Sequence, residues 1–230
     1  AFLANSSNEK DAKRQIWVMS MRGGEARRAT GAVDGVQQFA WSPDGSRIAF
    51  VTADEAEKRP ESDPHNKVFE VGDDDFLTTV APTPSHVWIV SAEGGESRRV
   101  TSGAWSLPVA HPPGPVPSPL SWSPDGKTIA IPRRETPHEK TPDVAHVALV
   151  DVATGSTRRL ATHTLDDGQP AFSPDGSTIA YWHPQGGVRS SQNAIWVAPA
   201  SGGDGREVTG AIDRNVFRAV WLPDGKSFLT

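Results

Sequence analysis

Four acidic residues in one stretch of the chain are the first candidates for chemistry. Asp73, Asp74 and Asp75 are consecutive, and Glu70 precedes them by three residues. Their carboxylates offer the oxygen ligands that Ca²⁺ prefers, but the stretch lacks the spaced D-x-D-x-D-G pattern of a calcium-binding loop. A solvated acidic loop is the better interpretation, and its charge would attract a cationic group.

The chain also contains seven histidines, which are common metal ligands and common bases near neutral pH. No two of them have helical ligand spacing, and no carboxylates accompany them in a recognised metal-binding motif. We interpret them as isolated surface or strand-end residues and expect neither a metal ion nor another cofactor. They are His65, His86, His111, His138, His146, His163 and His183.

A serine nucleophile of the α/β-hydrolase type would lie in a G-x-S-x-G motif, followed in the chain by an acidic residue and a histidine. That motif occurs nowhere in the 230 residues. We therefore predict that this chain has no catalytic residues and is not an enzyme by itself. Four aspartates that resemble an active-site series each stand between proline and glycine, where aspartate forms turns. They are Asp44, Asp125, Asp175 and Asp224.

A motif that recurs four times defines the elements that hold these side chains. Its copies are WSPDG at 41–45 and 122–126, FSPDG at 172–176 and WLPDG at 221–225. Successive aspartates are 81, 50 and 49 residues apart. The period is that of a propeller blade, and the first step contains about thirty extra residues. Proline and aspartate at the corners and glycine in the left-handed conformation predict a tight turn between two strands.

Each repeat predicts one four-stranded blade of an all-β propeller. After the turn comes a second strand that is apolar on both faces, as at 48–51, and then an apolar third strand, as at 87–90. A glycine turn leads to a fourth strand that carries arginines, as at 98–99, which we interpret as protection of an exposed edge. Aromatic residues recur at the start of the motif and are predicted to anchor neighbouring blades. They are Trp41, Trp122, Phe172 and Trp221.

The predicted strands amount to about four blades' worth of a propeller in one domain, residues 1–230. Residues 1–3 and 228–230 both align with second strands, so a closed four-bladed ring would leave one second strand unpaired. We therefore expect this chain to be part of a larger propeller.

An insertion at residues 54–85, between the second and third strands of one blade, is the main irregularity. Equivalent connections have about ten residues, and long loops on rigid scaffolds often carry function. The insertion holds nine acidic and three basic residues, a net charge of -6, whereas the whole chain has -5. We expect it to provide any specificity of the domain; an ordinary solvated loop is the alternative.

Two tryptophans, Trp105 and Trp182, lie outside the repeat positions. We expect these aromatic rings to face a channel. Together with Glu70, Asp73, Asp74 and Asp75 they are our candidate residues for binding a substrate or partner.

The bulk composition excludes several classes of function. A net charge of -5 gives no broad basic surface, which argues against nucleic-acid and anionic-membrane binding. No apolar run approaches the roughly 18 residues that span a bilayer. The chain has no cysteine, which suits the cytoplasm and the periplasm equally, so the compartment stays open.

The PDG turn, the apolar second strand and the GG-x-x-RR-x-T ending resemble the propeller repeats of TolB-like proteins and of prolyl oligopeptidase-family serine peptidases. The segment VGDDDFLTTVAPTPSHVW at 71–88 is similar to bacterial acylaminoacyl-peptidase and dipeptidyl-aminopeptidase-like members of that family. In such hydrolases the propeller caps an α/β-hydrolase domain, restricts access to its active site and can help to bind the N-terminal part of the substrate.

The resemblance implies a non-catalytic propeller that gates and selects peptide substrates for an α/β-hydrolase domain of the same polypeptide. Dipeptidyl peptidases hold the substrate's amino group with two adjacent glutamates, and this chain has no Glu-Glu pair, so we transfer no substrate-binding residue. The alternative is a TolB-like scaffold that binds protein partners without an attached enzyme. A hydrolase domain in the parent reading frame would favour the peptidase.

Overall fold

The computed structural model describes residues 1–5, 12–56, 68–72, 79–108, 120–138 and 144–230. This part of the chain consists of antiparallel sheets joined by turns, with a short 3-10 helix at Gln185–Gly187. Within it, no helix has the length and apolar character needed to cross a membrane.

The strands form five sheets in chain order. Blade 1 has three strands, β1 (Phe2–Asn5), β2 (Arg14–Val18) and β3 (Arg27–Arg28). Blade 2 has β4 (Gln38–Trp41), β5 (Arg47–Ala53), β6 (Ser85–Ser91) and β7 (Arg98–Arg99). Blade 3 has β8 (Ser121–Trp122), β9 (Thr128–Arg133), β10 (His146–Asp151) and β11 (Thr157–Arg159). Blade 4 has β12 (Gly168–Phe172), β13 (Thr178–Pro184), β14 (Asn193–Pro199) and β15 (Arg206–Glu207). The last sheet pairs β16 (Val220–Trp221) with β17 (Phe228–Leu229).

The all-β propeller of four-stranded blades is confirmed. First strands of successive sheets contact one another, β4 with β8, β8 with β12 and β12 with β16, so they occupy the inner positions around a common axis. Strand β1 pairs with β2 in the way that the second strand of a complete blade pairs with its third strand. Strand β17 pairs with β16 in the way that a second strand pairs with a first strand.

The PDG turns have the predicted geometry. Gly45, Gly126, Gly176 and Gly225 have φ between 63° and 73°, the left-handed region in which glycine is favoured. The main-chain N–H of Gly176 donates to the carbonyl oxygen of Ser173 at 2.9 Å, and the other three copies form the same bond. This closes the hairpin between the first and second strand of each repeat.

Each interface between neighbouring sheets contains its own apolar core. On β5, Ile48 and Phe50 pack with Ile16 of blade 1, whereas Ala49 and Val51 belong to the core shared with blade 3. Because successive side chains of a strand point to opposite faces, a blade between two neighbours must be apolar on both. The predicted two-faced apolar pattern of the second strands is confirmed.

The recurring tryptophans connect the inner strands. The indole Nε1 of Trp122 donates to the carbonyl oxygen of Ala40 in the preceding blade at 3.3 Å. The indole Nε1 of Trp221 donates to the carbonyl oxygen of Ala171 at 3.0 Å. The predicted role as an anchor between blades is confirmed for Trp122 and Trp221, whereas Trp41 is 37% exposed.

The first arginine of three fourth strands reaches into the following blade. Each guanidinium donates to a main-chain carbonyl oxygen in the turn between the third and fourth strands of that blade. The donor and acceptor pairs are Arg27 with Ala92, Arg98 with Val152 and Arg158 with Ala200. These three side chains therefore also fasten neighbouring blades together, a contact that the sequence did not predict, and their role in edge protection stays a prediction.

Candidate functional site

A cavity of about 680 Å³ lies between blades 1 and 2. Its walls come from residues 31–33 after β3, from the end of β5 with Asp54 and Glu55, and from Trp88 on β6 and Arg99 on β7. Phe50 of β5 also lines it, so the wall combines two aromatic rings with three charged side chains.

This cavity lies at the base of the long connection between β5 and β6. Ala53 pairs with Ser85 in the sheet, and the main-chain N–H of Asp54 donates to the carbonyl oxygen of Pro84 at 2.7 Å. The sheet pairing holds the two ends of the connection together. Residues 54–84 thus leave and rejoin blade 2 beside the cavity.

Asp54 and Arg99 form an ion pair at the cavity wall. Oδ2 of Asp54 lies 2.9 Å from a guanidinium nitrogen of Arg99. Arg99 also donates through Nε to the carbonyl oxygen of Thr101 at 2.8 Å, and its guanidinium lies 5.9 Å from the ring centre of Trp88. These contacts fix the guanidinium against the wall. Glu55, next to Asp54, is exposed to solvent.

His86 lies behind this ion pair and is fully buried. Its Nε2 is 3.0 Å from the carbonyl oxygen of Gly103, an acceptor, so Nε2 carries the hydrogen and Nδ1 accepts from the Thr101 hydroxyl at 3.2 Å. Burial and the nearby Arg99 charge lower the pKa of His86. A neutral ring with both nitrogens bonded positions the residues around it and is poorly placed to react.

Trp105 joins this cluster. Its ring meets that of His86 edge-on at 4.8 Å, and the guanidinium of Arg133 lies 4.9 Å from its centre. Only 7% of Trp105 is exposed. Trp105 is therefore connected through His86 to the base of the insertion. Its position in the sequence, 20 residues beyond the insertion, does not reveal this proximity.

Trp182 lies two blades away on β13. Its half-buried side chain packs in the apolar cluster between blade 4 and the last sheet, where Phe217 meets its ring edge-on at 6.0 Å. The structure does not bring Trp182 to the cavity at the base of the insertion.

The remaining predicted site residues belong to the insertion. Glu70 is exposed. Asp73, Asp74 and Asp75 lie outside the described residues. The prediction that these four acids bind a substrate or partner stays a prediction.

A second cavity, of about 530 Å³, lies on the inner side of the blades. Residues of the first strands β8, β12 and β16 line it, with Trp122 and Trp221 among them. Trp105 and Trp182, which we expected to face a channel, are not among its lining residues. The aromatic residues at this inner cavity are those of the repeat itself.

One cluster of side chains was not predicted from the sequence. His163 follows β11, Asp167 precedes β12 and His183 lies near the end of β13. Oδ1 of Asp167 is 3.1 Å from Nδ1 of His163 and 2.8 Å from Nδ1 of His183. Interpreting these two histidines as isolated was wrong, since they share one carboxylate. His65 and His111 lie outside the described residues.

No family model matches the chain. A curated Bacillus subtilis (strain 168) protein, the uncharacterized peptidase YuxL, is 30% identical over 206 residues, covering 76% of this chain and 26% of that protein. The dipeptidyl-peptidase 5 of Porphyromonas gingivalis is 30% identical over 116 residues, covering 46% of this chain and 16% of that protein. The chain thus corresponds to a minor part of either peptidase.

Solved structures with little sequence identity share the fold. TolB from Acinetobacter baumannii superposes with a TM-score of 0.61 at 16% identity, covering 97% of this chain and 44% of that chain. An acylaminoacyl peptidase in complex with Z-Gly-Gly-Phe-chloromethyl ketone superposes with a TM-score of 0.56 at 17% identity, covering 90% of this chain and 30% of that chain. The chain thus has the fold of a TolB-like β-propeller, and over 76% of its length it is similar to part of a curated peptidase.

Proposed function

We propose that this propeller is non-catalytic, and that it gates access to a separate α/β-hydrolase domain of the same polypeptide and helps to select its peptide substrates. The alignments with curated peptidases support this proposal, because the chain corresponds to 26% and 16% of their lengths. The sequence itself contains no G-x-S-x-G motif.

The single observation that carries substrate selection is the cavity at the base of the insertion. The insertion has a net charge of -6, and at its base Glu55 lies beside the Asp54–Arg99 ion pair on the wall of a cavity of about 680 Å³. A protonated peptide amino terminus is attracted to such a concentration of acidic charge, and the Trp88 ring offers an apolar surface beside it. The site is thus suited to the amino-terminal end of a peptide.

Charge substitution in the full-length polypeptide tests this proposal. Replacing Asp73, Asp74 and Asp75 with asparagine should raise KM for peptides with a free amino terminus about three- to tenfold at low salt, with kcat little changed. Salt of about 0.5 M screens exposed charges and should abolish the difference. Peptides with an acetylated amino terminus should show no such rise in KM.

The control variant removes three exposed acids outside the insertion, by Glu25→Gln, Asp34→Asn and Asp213→Asn. It changes the net charge equally and should leave KM unchanged. Wild-type KM in the Asp73/Asp74/Asp75 variant at both salt concentrations, or an equal rise in the control, would reduce the insertion to a solvated loop. If the parent reading frame encodes no hydrolase domain, the gating proposal is replaced by the alternative, a TolB-like scaffold that binds protein partners.

A further inference from the structure

We propose that His163, Asp167 and His183 form a binding site for one divalent transition-metal ion, with Zn²⁺ as the best-suited ion. This site lies in blade 4 and its connection to blade 3, and it is independent of the gating role and of the cavity at the base of the insertion.

Two segments of the chain bring the ligand atoms together. His163 and Asp167 lie in the connection between β11 and β12, and His183 lies in the last part of β13. The candidate ligand atoms of the three side chains all lie within 4.8 Å of one another. The connection is held in place because the main-chain N–H of Asp167 donates to the carbonyl oxygen of Ala145 at 2.8 Å. This main-chain hydrogen bond therefore holds Asp167 in position.

The donor set selects the class of ion. Two imidazole nitrogens and one carboxylate oxygen are a common protein ligand set for Zn²⁺, whereas Ca²⁺ and Mg²⁺ prefer oxygen ligands alone. Ligands at about 2.0–2.2 Å from an ion lie roughly 2.8–3.6 Å from each other at adjacent positions of octahedral or tetrahedral geometry. The Asp167 to histidine distances of 2.8 and 3.1 Å lie within that range.

The surroundings favour a compact, dehydrated site. The side chains of Asp167 and His183 are 1% and 4% exposed. The ring of Trp196 meets both imidazoles edge-on, at 5.2 Å from His163 and 5.1 Å from His183. A carboxylate buried this deeply needs a positive partner or several hydrogen bonds, and a divalent cation supplies the positive charge directly.

Access and proton balance are also consistent with binding. The side chain of His163 is 11% exposed and provides a route from solvent. The main-chain carbonyl oxygen of Asp166 lies 3.1 Å from Nδ1 of His183, so this nitrogen donates a hydrogen bond before an ion binds. To bind the ion through Nδ1, an imidazole ring must have no hydrogen on that nitrogen. A hydrogen on Nδ1 therefore moves to Nε2 of the same ring or is released to solvent.

Calorimetric titration of the chelator-treated, purified chain with ZnCl₂ tests the site. We expect one ion per chain, and at least about tenfold weaker binding in both His163→Gln and His183→Gln, as expected when a ligand is lost. His138→Gln, a histidine outside the cluster, should bind as wild type. MgCl₂ should bind far more weakly than ZnCl₂.

Visible absorption of bound Co²⁺ tests the site on the wild-type chain, so this experiment does not depend on the folding of a variant. Binding of Co²⁺ should produce visible absorption bands of nitrogen- and oxygen-ligated cobalt, and Zn²⁺ should displace them at one equivalent. The proposal is overturned if wild type binds Zn²⁺ no more tightly than the His163→Gln/His183→Gln double variant, if Mg²⁺ competes equally with Zn²⁺, or if Co²⁺ produces no such bands.

Discussion

Arg98 of blade 2 donates a hydrogen bond to the main-chain carbonyl oxygen of Val152 in blade 3, at 2.8 Å. The two residues are 54 positions apart in the chain and lie on different sheets. Arg27 and Arg158 make the corresponding contact one blade earlier and one blade later. The blades are therefore fastened at their outer strands by arginine and at their inner strands by tryptophan.

Arg98→Ala should lower the free energy of unfolding by about 1–2 kcal/mol, because a charge-assisted hydrogen bond between blades is lost at a partly exposed site. Urea unfolding followed by tryptophan fluorescence measures the change. The exposed Arg22 in the turn before β3 provides the control, and Arg22→Ala should change stability by less than about 0.5 kcal/mol. Equal losses in both variants would contradict the contact between blades.

Gly176→Val should destabilise the fold by about 1–2 kcal/mol or more, since Gly176 has φ of 73° and a β-branched residue is strained there. The added Cβ would also lie 3.1 Å from Cδ of Pro124. Gly126→Val, with φ of 68°, should behave similarly. Gly31 has an ordinary φ and open space around its Cα, so Gly31→Ala should be tolerated. Unchanged thermal unfolding in both valine variants would refute the turn assignment.

The turn aspartates should make stability depend on pH in the acid range. Hydrogen bonds from the Ser173 hydroxyl and from Ser177 lower the pKa of Asp175 from 3.8 to about 2. Because the folded pKa lies below the unfolded value, this stabilisation is present above about pH 4 and disappears as the pH falls towards about 2. Wild type should therefore exceed Asp175→Asn in urea midpoint at about pH 5, with the gap closing near pH 2. A gap that is constant with pH would contradict this assignment.

The repeat made most of the fold predictable. The PDG motif specifies its turn by local chemistry, and the apolar second strands are buried on both faces wherever a blade has two neighbours. The arginine contacts could not be predicted, because they depend on how adjacent blades are rotated against each other. Arg98 and Val152 become neighbours only after both sheets are packed.

The site was less predictable for a similar reason. His163 and His183 are 20 residues apart in different elements, and they meet because the connection before β12 passes the end of β13. The spacing of His163 and Asp167 by four residues was the available signal, but it indicates a shared site only once the path of that connection is known. Trp105 reaches the base of the insertion in the same way, through its packing on His86.

The purified chain alone should not hydrolyse aminoacyl or acyl-peptide substrates. A serine nucleophile needs a histidine base and an oxyanion hole held in place, and the sequence has no elbow motif to supply them. Chromogenic aminoacyl substrates measure this directly. Turnover that persists through purification and is abolished by mutating a serine of this chain would contradict the prediction.

The central claim is that the propeller selects substrates through the insertion, and shortening the insertion in the full-length polypeptide tests it most directly. Residues 54–84 would be replaced by the eight-residue connection 185–192, which joins the second and third strands of blade 4. The measurement is kcat/KM for a small chromogenic ester and for a series of peptides of increasing length. We predict that the ratio of kcat/KM for the peptides to kcat/KM for the ester changes about tenfold or more. The value of kcat/KM for the ester itself should change less than about twofold. A peptide to ester ratio that stays at the wild-type value for every length would contradict the claim.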